Sequence, residues 1–599
     1  MRQRLLLLAI LTGLVLRIAS VAWHEHPRGD VQLDVGVARS LQQGEGFHSG
    51  FLRGTALVQG DGPPPPQDLA DQHPPLWPLV GAALGLLVGS PFGGLQLGSL
   101  LAGLLLVVLV WRQADRLVEG CAGARDGLPA VAAALVALCF VTVDASGNGS
   151  LYAAQACGVV LLVGALGAAR PSALRLGLLL GALWLLNYQA LVLLPVPLLV
   201  LLLAVRPGER RAALATGALA IGLAVLLQAP WWWRNAQAFG DPFFNVNGFY
   251  PLWKSGVQPT LAIEAGQPVA RLPDASIAGA LLRGVRHWGP ANVLYLLTTG
   301  LMLWPGLVAL VAAGALPLFG AARRQHDRRL MACLLLLLAL AGIALLWPDM
   351  KLRYCVPLTP LVILLGIRLV ASPPTAAERR LALAVVALWI VVLLAKLGDV
   401  TGKAADARPD RWRLLLLGGA AFLALPLLLR TVKIRRVERP VRLLLVTGLA
   451  AVPVLAAVAF WPWPHTTYNA SVITPDLFGQ ADKEGADARA ARTAERAHEE
   501  LVNAGSRCVV GPLELIAHEG PALIWLPMGN GSQAGDDALA ALLARHGVDH
   551  VLVYSGTGWP EGLVSGNTWL GGRLLVVAVW SPEQTGQPLA AGWLSLVQR

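Results

Sequence analysis

Two carboxylates and an arginine stand close together in a stretch where little else is charged. They are Asp30, Asp34 and Arg39 in GDVQLDVGVARSLQQGEGF, which follows the chain's first apolar run. Asp30 and Asp34 are four residues apart, so a helix over 30–43 puts both on one face. The same helix gathers Val31, Val35, Ala38 and Leu41 into an apolar stripe. A helix of this kind would lie at a surface and aim its carboxylates at a cavity. There a carboxylate can take a proton from a hydroxyl or share in holding a cation. The plainer alternative is the solvated face of an ordinary loop helix.

Three other stretches carry polar groups in an apolar setting. DQHPPLWP holds His73 ahead of two prolines, APWWWRNAQAFGDPFF holds Arg234, and WPDMKLRYCVPLTP holds Arg353. Each has an ordinary reading, as a loop-to-helix turn, an aromatic belt or a snorkelling anchor. Together they suit chemistry on a phosphate. Arginine is always charged and can bond an anion bidentately as negative charge gathers on a leaving group. Arg353 and Arg234 are the candidates for that contact, and Asp30 and Asp34 are the candidate catalytic carboxylates. A divalent metal, Mg or Mn, could bridge phosphate to Asp30, with His24, His26, His48 and His73 near in sequence.

The elements that must position these groups are helices in a bilayer. The 599 residues are 55% hydrophobic and 14% charged, against about 25% charged in soluble chains. Apolar runs recur at 4–22, 94–111, 129–143, 152–169, 174–187, 188–205, 212–229, 291–319, 330–347, 355–370, 380–397, 412–429 and 442–460. That predicts a polytopic α-helical membrane protein of about 13 transmembrane helices. The apolar part of 76–90 is short for a span and reads as an interfacial or re-entrant piece. The first run could be a cleaved leader, but its internal Arg17 and its direct passage into the acidic stretch favour a retained helix.

With the N-terminus inside, the basic runs RPGERR, RRQHDRR and RTVKIRRVERPVR all fall in cytoplasmic loops. The outer loops are then 23–93 and 230–290, within a membrane domain of residues 1–463. The net charge of +11 reflects these loops, and no basic patch interleaved with aromatics points to nucleic acid. The six cysteines are scattered singly, with no zinc spacing. From 464 to 599 the composition changes. ADARAARTAERAHEELVNAG and DDALAALLARHG read as helices, and CVVGP, ALIWLPM, HVLVYSG and RLLVVAVW read as buried strands. This predicts a small C-terminal α/β domain on the extracytoplasmic side.

The motifs GDVQLDVGVARSLQQGEGF, HPPLWP, PWWWRNAQAFGDP and RYCVPLTPLVILL, in this order over residues 1 to about 370, resemble those of the C-type membrane glycosyltransferases. The protein O-mannosyltransferase and aminoarabinose-transferase relatives are the branch most similar. The resemblance implies the C-type glycosyltransferase fold and a polyprenyl-phosphate sugar donor. It also implies transfer, with inversion, to a lipid, glycan or protein acceptor at the outer face of a bacterial-type inner membrane. It assigns the catalytic acid residue of the first outer loop to Asp30, eight positions before Ala38-Arg39. Three departures stand out. Val31 follows Asp30 where the family often has Glu, His73 stands at the donor phosphate where Lys is common, and the second outer loop, VDASGNGSLYAAQA, offers Asp144 beside Asp30 as a possible metal ligand but no Glu near Gln155. A transporter or flippase of a lipid-linked glycan, or a catalytically inactive relative, are the alternatives. A carrier should place charges at mid-span, whereas these polar groups cluster at span ends.

Overall fold

The computed structural model describes residues 2–24, 30–48, 51–53, 73–119, 127–243, 318–323, 325–346 and 352–371. It also describes four strands between 508 and 580, and isolated positions at 27, 311, 315, 499, 502 and 503. The expected spans at 380–397, 412–429 and 442–460, most of 291–319, most of the first predicted tail helix and all of the second lie outside the described residues, while 499, 502 and 503 of the first are helical.

The helices follow the apolar runs. They are α1 (Arg2–Trp23), α2 (Asp30–Gln42), α3 (Leu76–Val88), α4 (Pro91–Leu117), α5 (Leu128–Leu138) and α6 (Phe140–Gly147). After these come α7 (Tyr152–Leu166), α8 (Ala173–Leu186), α9 (Pro195–Leu203), α10 (Arg210–Phe239), α11 (Arg328–Leu346) and α12 (Leu358–Ala371). Two of them, α4 and α10, are long and apolar enough to cross a membrane unaided, and α5 with α6 would form a third, bent span. One continuous apolar core, with Leu95, Leu106, Val160, Leu176, Leu330 and Leu361 among its buried members, joins them. The chain has a helical membrane fold.

Four departures from the expected spans have local causes. First, the run at 129–143 is broken at Cys139, and the two halves are bent by 57°. No proline marks the break. It is held by Arg17 of α1, whose guanidinium donates to Ala137 O at 3.0 Å, Gly13 O at 3.1 Å, Ser146 Oγ at 3.2 Å and Val136 O at 3.3 Å. Thr142 Oγ1 also donates to Val136 O, at 2.7 Å. These donors replace the amides that an unbroken helix would have offered, as a lipid environment requires. Second, 188–205 opens as a 3₁₀ turn, Tyr188–Leu193, before α9, because Pro195 and Pro197 bring no amide hydrogen. Third, α10 does not stop at 229. It runs past Pro230 to Phe239 and is closed by Gly240 at φ +71°, so the first residues of the expected outer loop are helical.

The fourth departure concerns α2. The predicted helix is present, but it does not float at a surface with a solvated face. Gln32, Leu33, Asp34, Gly36, Val37 and Ser40 are buried along with Val31, Val35 and Ala38, so nearly every side is covered. It ends where Gly44, at φ +80°, lets the Glu45 amide reach Ser40 O at 2.9 Å. Its cover is the α3–α4 hairpin. α3 has 13 residues, about 20 Å, short of the roughly 30 Å hydrocarbon core. Gly94 of α4 lies so close to Gly81 and Gly85 of α3 that any Cβ would strike their backbone.

The tail's strands fall in the four predicted stretches: β2 (Cys508–Val510), β3 (Ala522–Trp525), β4 (His550–Tyr554) and β5 (Leu575–Trp580). They join a fifth strand that the sequence does not announce, β1 (Phe51–Arg53) from the stretch between α2 and α3. The sheet is parallel throughout, in the order β1-β3-β2-β4-β5, with Phe51, Leu52 and Arg53 opposite Leu523, Ile524 and Trp525. The stretch between α2 and α3 and the tail therefore meet in one sheet.

Candidate active site

Asp30 opens α2, where its carboxylate also favours the helix N-terminus. Arg353 comes from the other end of the described membrane region. It sits on the 3₁₀ turn Leu352–Cys355, just before α12. That turn is fixed by the buried Cys355 and Val356, and Thr359 Oγ1 donates to Cys355 O at 3.0 Å. The two side chains meet: Arg353 Nη2 stands 2.6 Å from Asp30 Oδ2. Their exposures differ. The Arg353 side chain is 8% exposed and that of Asp30 is 34% exposed, so the carboxylate keeps an accessible side.

Aromatic rings enclose the guanidinium. Its carbon lies 5.3 Å from the Tyr354 ring centroid and 6.0 Å from that of Tyr152, and the two rings pack edge to face. Burial works against the charge on Arg353, but Asp30 and then the two tyrosines outweigh it and hold the group well above its ordinary pKa. The site therefore contains a fixed cation beside a reachable carboxylate.

Asp34 lies one turn on and deeper, with a side chain only 3% exposed. His73 Nδ1 stands 2.7 Å from its Oδ1. Burial raises the Asp34 carboxyl above the ordinary 3.8, His73 partly offsets this, and Asp30 adds a smaller push upward. His73 is placed by the two prolines that follow it and by Trp77, whose indole nitrogen donates to Gly149 O at 2.9 Å. Gly149 has φ +79° and is hemmed in by Phe92 and Val31, so only glycine fits there without strain.

Asp144 is buried on α6. Its Oδ1 is 3.1 Å from His24 Nε2, and its Oδ2 accepts from Asn148 Nδ2 at 3.1 Å. Gln96 Nε2 donates to His24 O at 2.8 Å and to Gly147 O at 3.0 Å, which ties α1, α4 and α6 together at this level. Arg234 is engaged elsewhere. It donates to Phe47 O at 3.1 Å and to Asn235 Oδ1 at 3.0 Å, and it stacks 4.7 Å from Trp231.

The sequence-expected residues thus divide into an Asp30–Arg353 pair, an Asp34–His73 pair beside it, a separate His24–Asp144 pair, and Arg234 at a loop anchor. Tyr152 and Tyr354 were not singled out in the sequence. Only the ring beside Arg353 in RYCVP hints at one of them. Among the described residues no group of three His, Cys, Asp or Glu side chains converges as a metal site would require. His26 lies outside the described residues.

No protein-family profile and no curated protein matches the chain in sequence. Solved structures do match in shape. The archaeal oligosaccharyltransferase AglB from Archaeoglobus fulgidus, in complex with an inhibitory peptide and a dolichol-phosphate, has a TM-score of 0.51 at 13% identity. The match covers 92% of this chain and 69% of that one. The apo form of the Archaeoglobus fulgidus oligosaccharyltransferase also gives 0.51, at 15% identity and the same coverage. ArnT from Cupriavidus metallidurans bound to undecaprenyl phosphate gives 0.48 at 16% identity, over 90% of this chain and 87% of that one. At such identities the likeness is one of architecture, and it agrees with the order of motifs along the sequence: the chain has the fold of the C-type membrane glycosyltransferases.

Proposed function

We propose that this protein is a membrane glycosyltransferase that moves a sugar from a polyprenyl-phosphate donor to an acceptor hydroxyl at the extracytoplasmic face. The observation that carries the reading is the Asp30–Arg353 pair, assembled from opposite ends of the described membrane region and left open on the carboxylate side. In the reaction the acceptor oxygen attacks the anomeric carbon, and the bond from that carbon to the phosphate oxygen breaks. The phosphate leaves with the electron pair. Asp30, with Oδ2 on Arg353, takes the acceptor's proton on Oδ1 or orients the hydroxyl for attack. Arg353 stabilises the charge that develops on the phosphate. Attack from the face opposite the phosphate inverts the anomeric centre. His73 holds Asp34 in place behind this pair.

In this reading residues 1–463 are the transferase unit, with about 13 spans and a cytoplasmic N-terminus. Residues 464–599 form an extracytoplasmic α/β unit. The pairing of β1 with β3 supports a common side for the first loop and the tail. A Mg or Mn ion at this site would find Asp30 with Oδ2 on Arg353 and Asp144 held by His24 and Asn148. The carrier alternative calls on charges at mid-span, and Arg17 is the charge it would use. That guanidinium is 0% exposed and consumed by the α5–α6 break, which favours the enzyme.

The test is donor dependence. Arg353→Ala should raise the KM for polyprenyl-phosphate sugar about tenfold or more while acceptor KM holds, as expected for one lost charge-assisted contact. Arg353→Lys should recover only part, because an ammonium cannot keep Asp30 and a phosphate on one planar fork. Unchanged donor KM in both variants would reduce Arg353 to a structural partner of Asp30.

A further inference from the structure

Arginine also gathers at the end of the bundle away from Asp30. Gln96 of α4 touches the surroundings of the candidate site, through His24 and Gly147. Gln113 lies on the same helix, roughly 25 Å further along it, and lines a cavity of about 440 Å³. Arg112, Arg116, Arg175 and Arg329 surround that cavity, and Leu109 and Leu161 form its apolar inner wall. The volume suits a small ligand, for which pockets run from about 300 Å³ upward.

Basic residues at loop ends are expected of any multi-span protein. That rule does not explain why four from three different segments converge on one concavity. Arg329 is fixed there, since Nε donates to Gln113 Oε1 at 3.1 Å and Nη2 to Gly167 O at 3.0 Å. Arg112, Arg116 and Arg175 are exposed at the rim. Two carboxylates, Asp327 and Glu119, act electrostatically on Arg329. Asp327 already accepts the amides of Arg329 and Leu330 at 3.1 and 3.0 Å. The balance at the cavity is cationic. Guanidinium forks match phosphate oxygens, and the leucines beneath them match the apolar part of a lipid.

We propose that this cavity binds a phosphate group, presented by an anionic lipid headgroup or free in solution. Arg112, Arg116 and Arg175 contact it, and Arg329 is the fixed cation behind them. The site is independent of the reaction at Asp30.

The test uses the full chain, purified in a neutral detergent and stripped of lipid. Thermal unfolding is followed while phosphatidylglycerol, phosphatidylcholine or inorganic phosphate is titrated. Wild type should be stabilised by phosphatidylglycerol or inorganic phosphate, and not by phosphatidylcholine. Arg112→Gln/Arg116→Gln should weaken the apparent affinity about tenfold or more, and Arg175→Gln alone should weaken it less. A charge-matched control, Arg210→Gln/Arg211→Gln, removes two exposed arginines that do not line the cavity and should bind as wild type does. Response to phosphatidylglycerol alone assigns the phosphate to lipid, and response to inorganic phosphate assigns it to a soluble anion. Equal loss in the control and cavity variants, or no loss in either, overturns the site. So does a wild type that phosphatidylcholine stabilises as well as the anionic ligands do.

Discussion

Replacing Asp30 by Asn changes one charge and almost no volume, so it separates the chemistry of the site from its packing. The Arg353 contact survives in weaker form, as a guanidinium donating to an amide oxygen. At 2.6 Å and an effective dielectric of about 20, the lost attraction is roughly 6 kcal/mol gross. Most of that is offset because Asp30 is 34% exposed and screened by water, because Asn no longer carries the carboxylate's desolvation cost, and because the amide oxygen still accepts from Arg353. The net loss of stability should therefore be about 1–2 kcal/mol. Turnover should fall far more. A general base contributes about 10² to 10⁴ in rate, which is roughly 2.7 to 5.5 kcal/mol of barrier. The assay is transfer of radiolabelled sugar from a panel of polyprenyl-phosphate donors by purified enzyme in lipid nanodiscs, with acceptor saturating. D30N should insert, purify as a single species and bind donor nearly as wild type does, yet turn over at least about a hundredfold more slowly. A normally expressed D30N that keeps more than about a tenth of the wild-type rate would refute the catalytic assignment.

Three further outcomes are expected. Asp34 has a raised pKa in the folded protein, so the native state holds its proton to higher pH than the unfolded chain does. Stability should then fall as pH rises from 3.8 through the raised value, and Asp34→Asn should flatten that slope in thermal melts. Arg17→Met leaves the carbonyls of Val136 and Ala137 without its donors and should cost about 3 kcal/mol or more. An unchanged melting midpoint would mean the α5–α6 break holds without Arg17. Reporter fusions at 325 and 470 should report opposite sides of the membrane, and the same side for both would overturn the proposed topology.

The residues legible in the sequence were those whose chemistry is out of place. In a chain this apolar, Asp30, Asp34 and Arg353 at the ends of hydrophobic runs are conspicuous, and a helix over 30–43 follows from its apolar stripe. The pairing was not legible. Asp30 and Arg353 are joined only by the packing of α2, α4, α7 and α12, and no local pattern encodes that contact. The role of His73 was hidden for the same reason. Its motif marks a turn, but its partner Asp34 lies on another helix. The break at Cys139 escaped notice because hydropathy does not register a missing hydrogen bond. Its cause, Arg17, lies more than a hundred residues earlier. Strand β1 was invisible because three residues carry no periodicity.

That strand has a consequence for how the protein comes into being. Phe51–Arg53 emerges early, but its neighbour in the sheet is Ala522–Trp525, about 470 residues later. At roughly 5–20 residues per second, a ribosome needs about half a minute to a minute and a half to supply it. Until then the edge formed by the first loop lacks the strand it pairs with. Sheet closure is a long-range contact that must come after the helices are inserted. A chain cut short before β3 would carry Asp30 and Arg353 and still lack the clasp over the first loop. Completion of the last part of the chain thus becomes the event that finishes the first part.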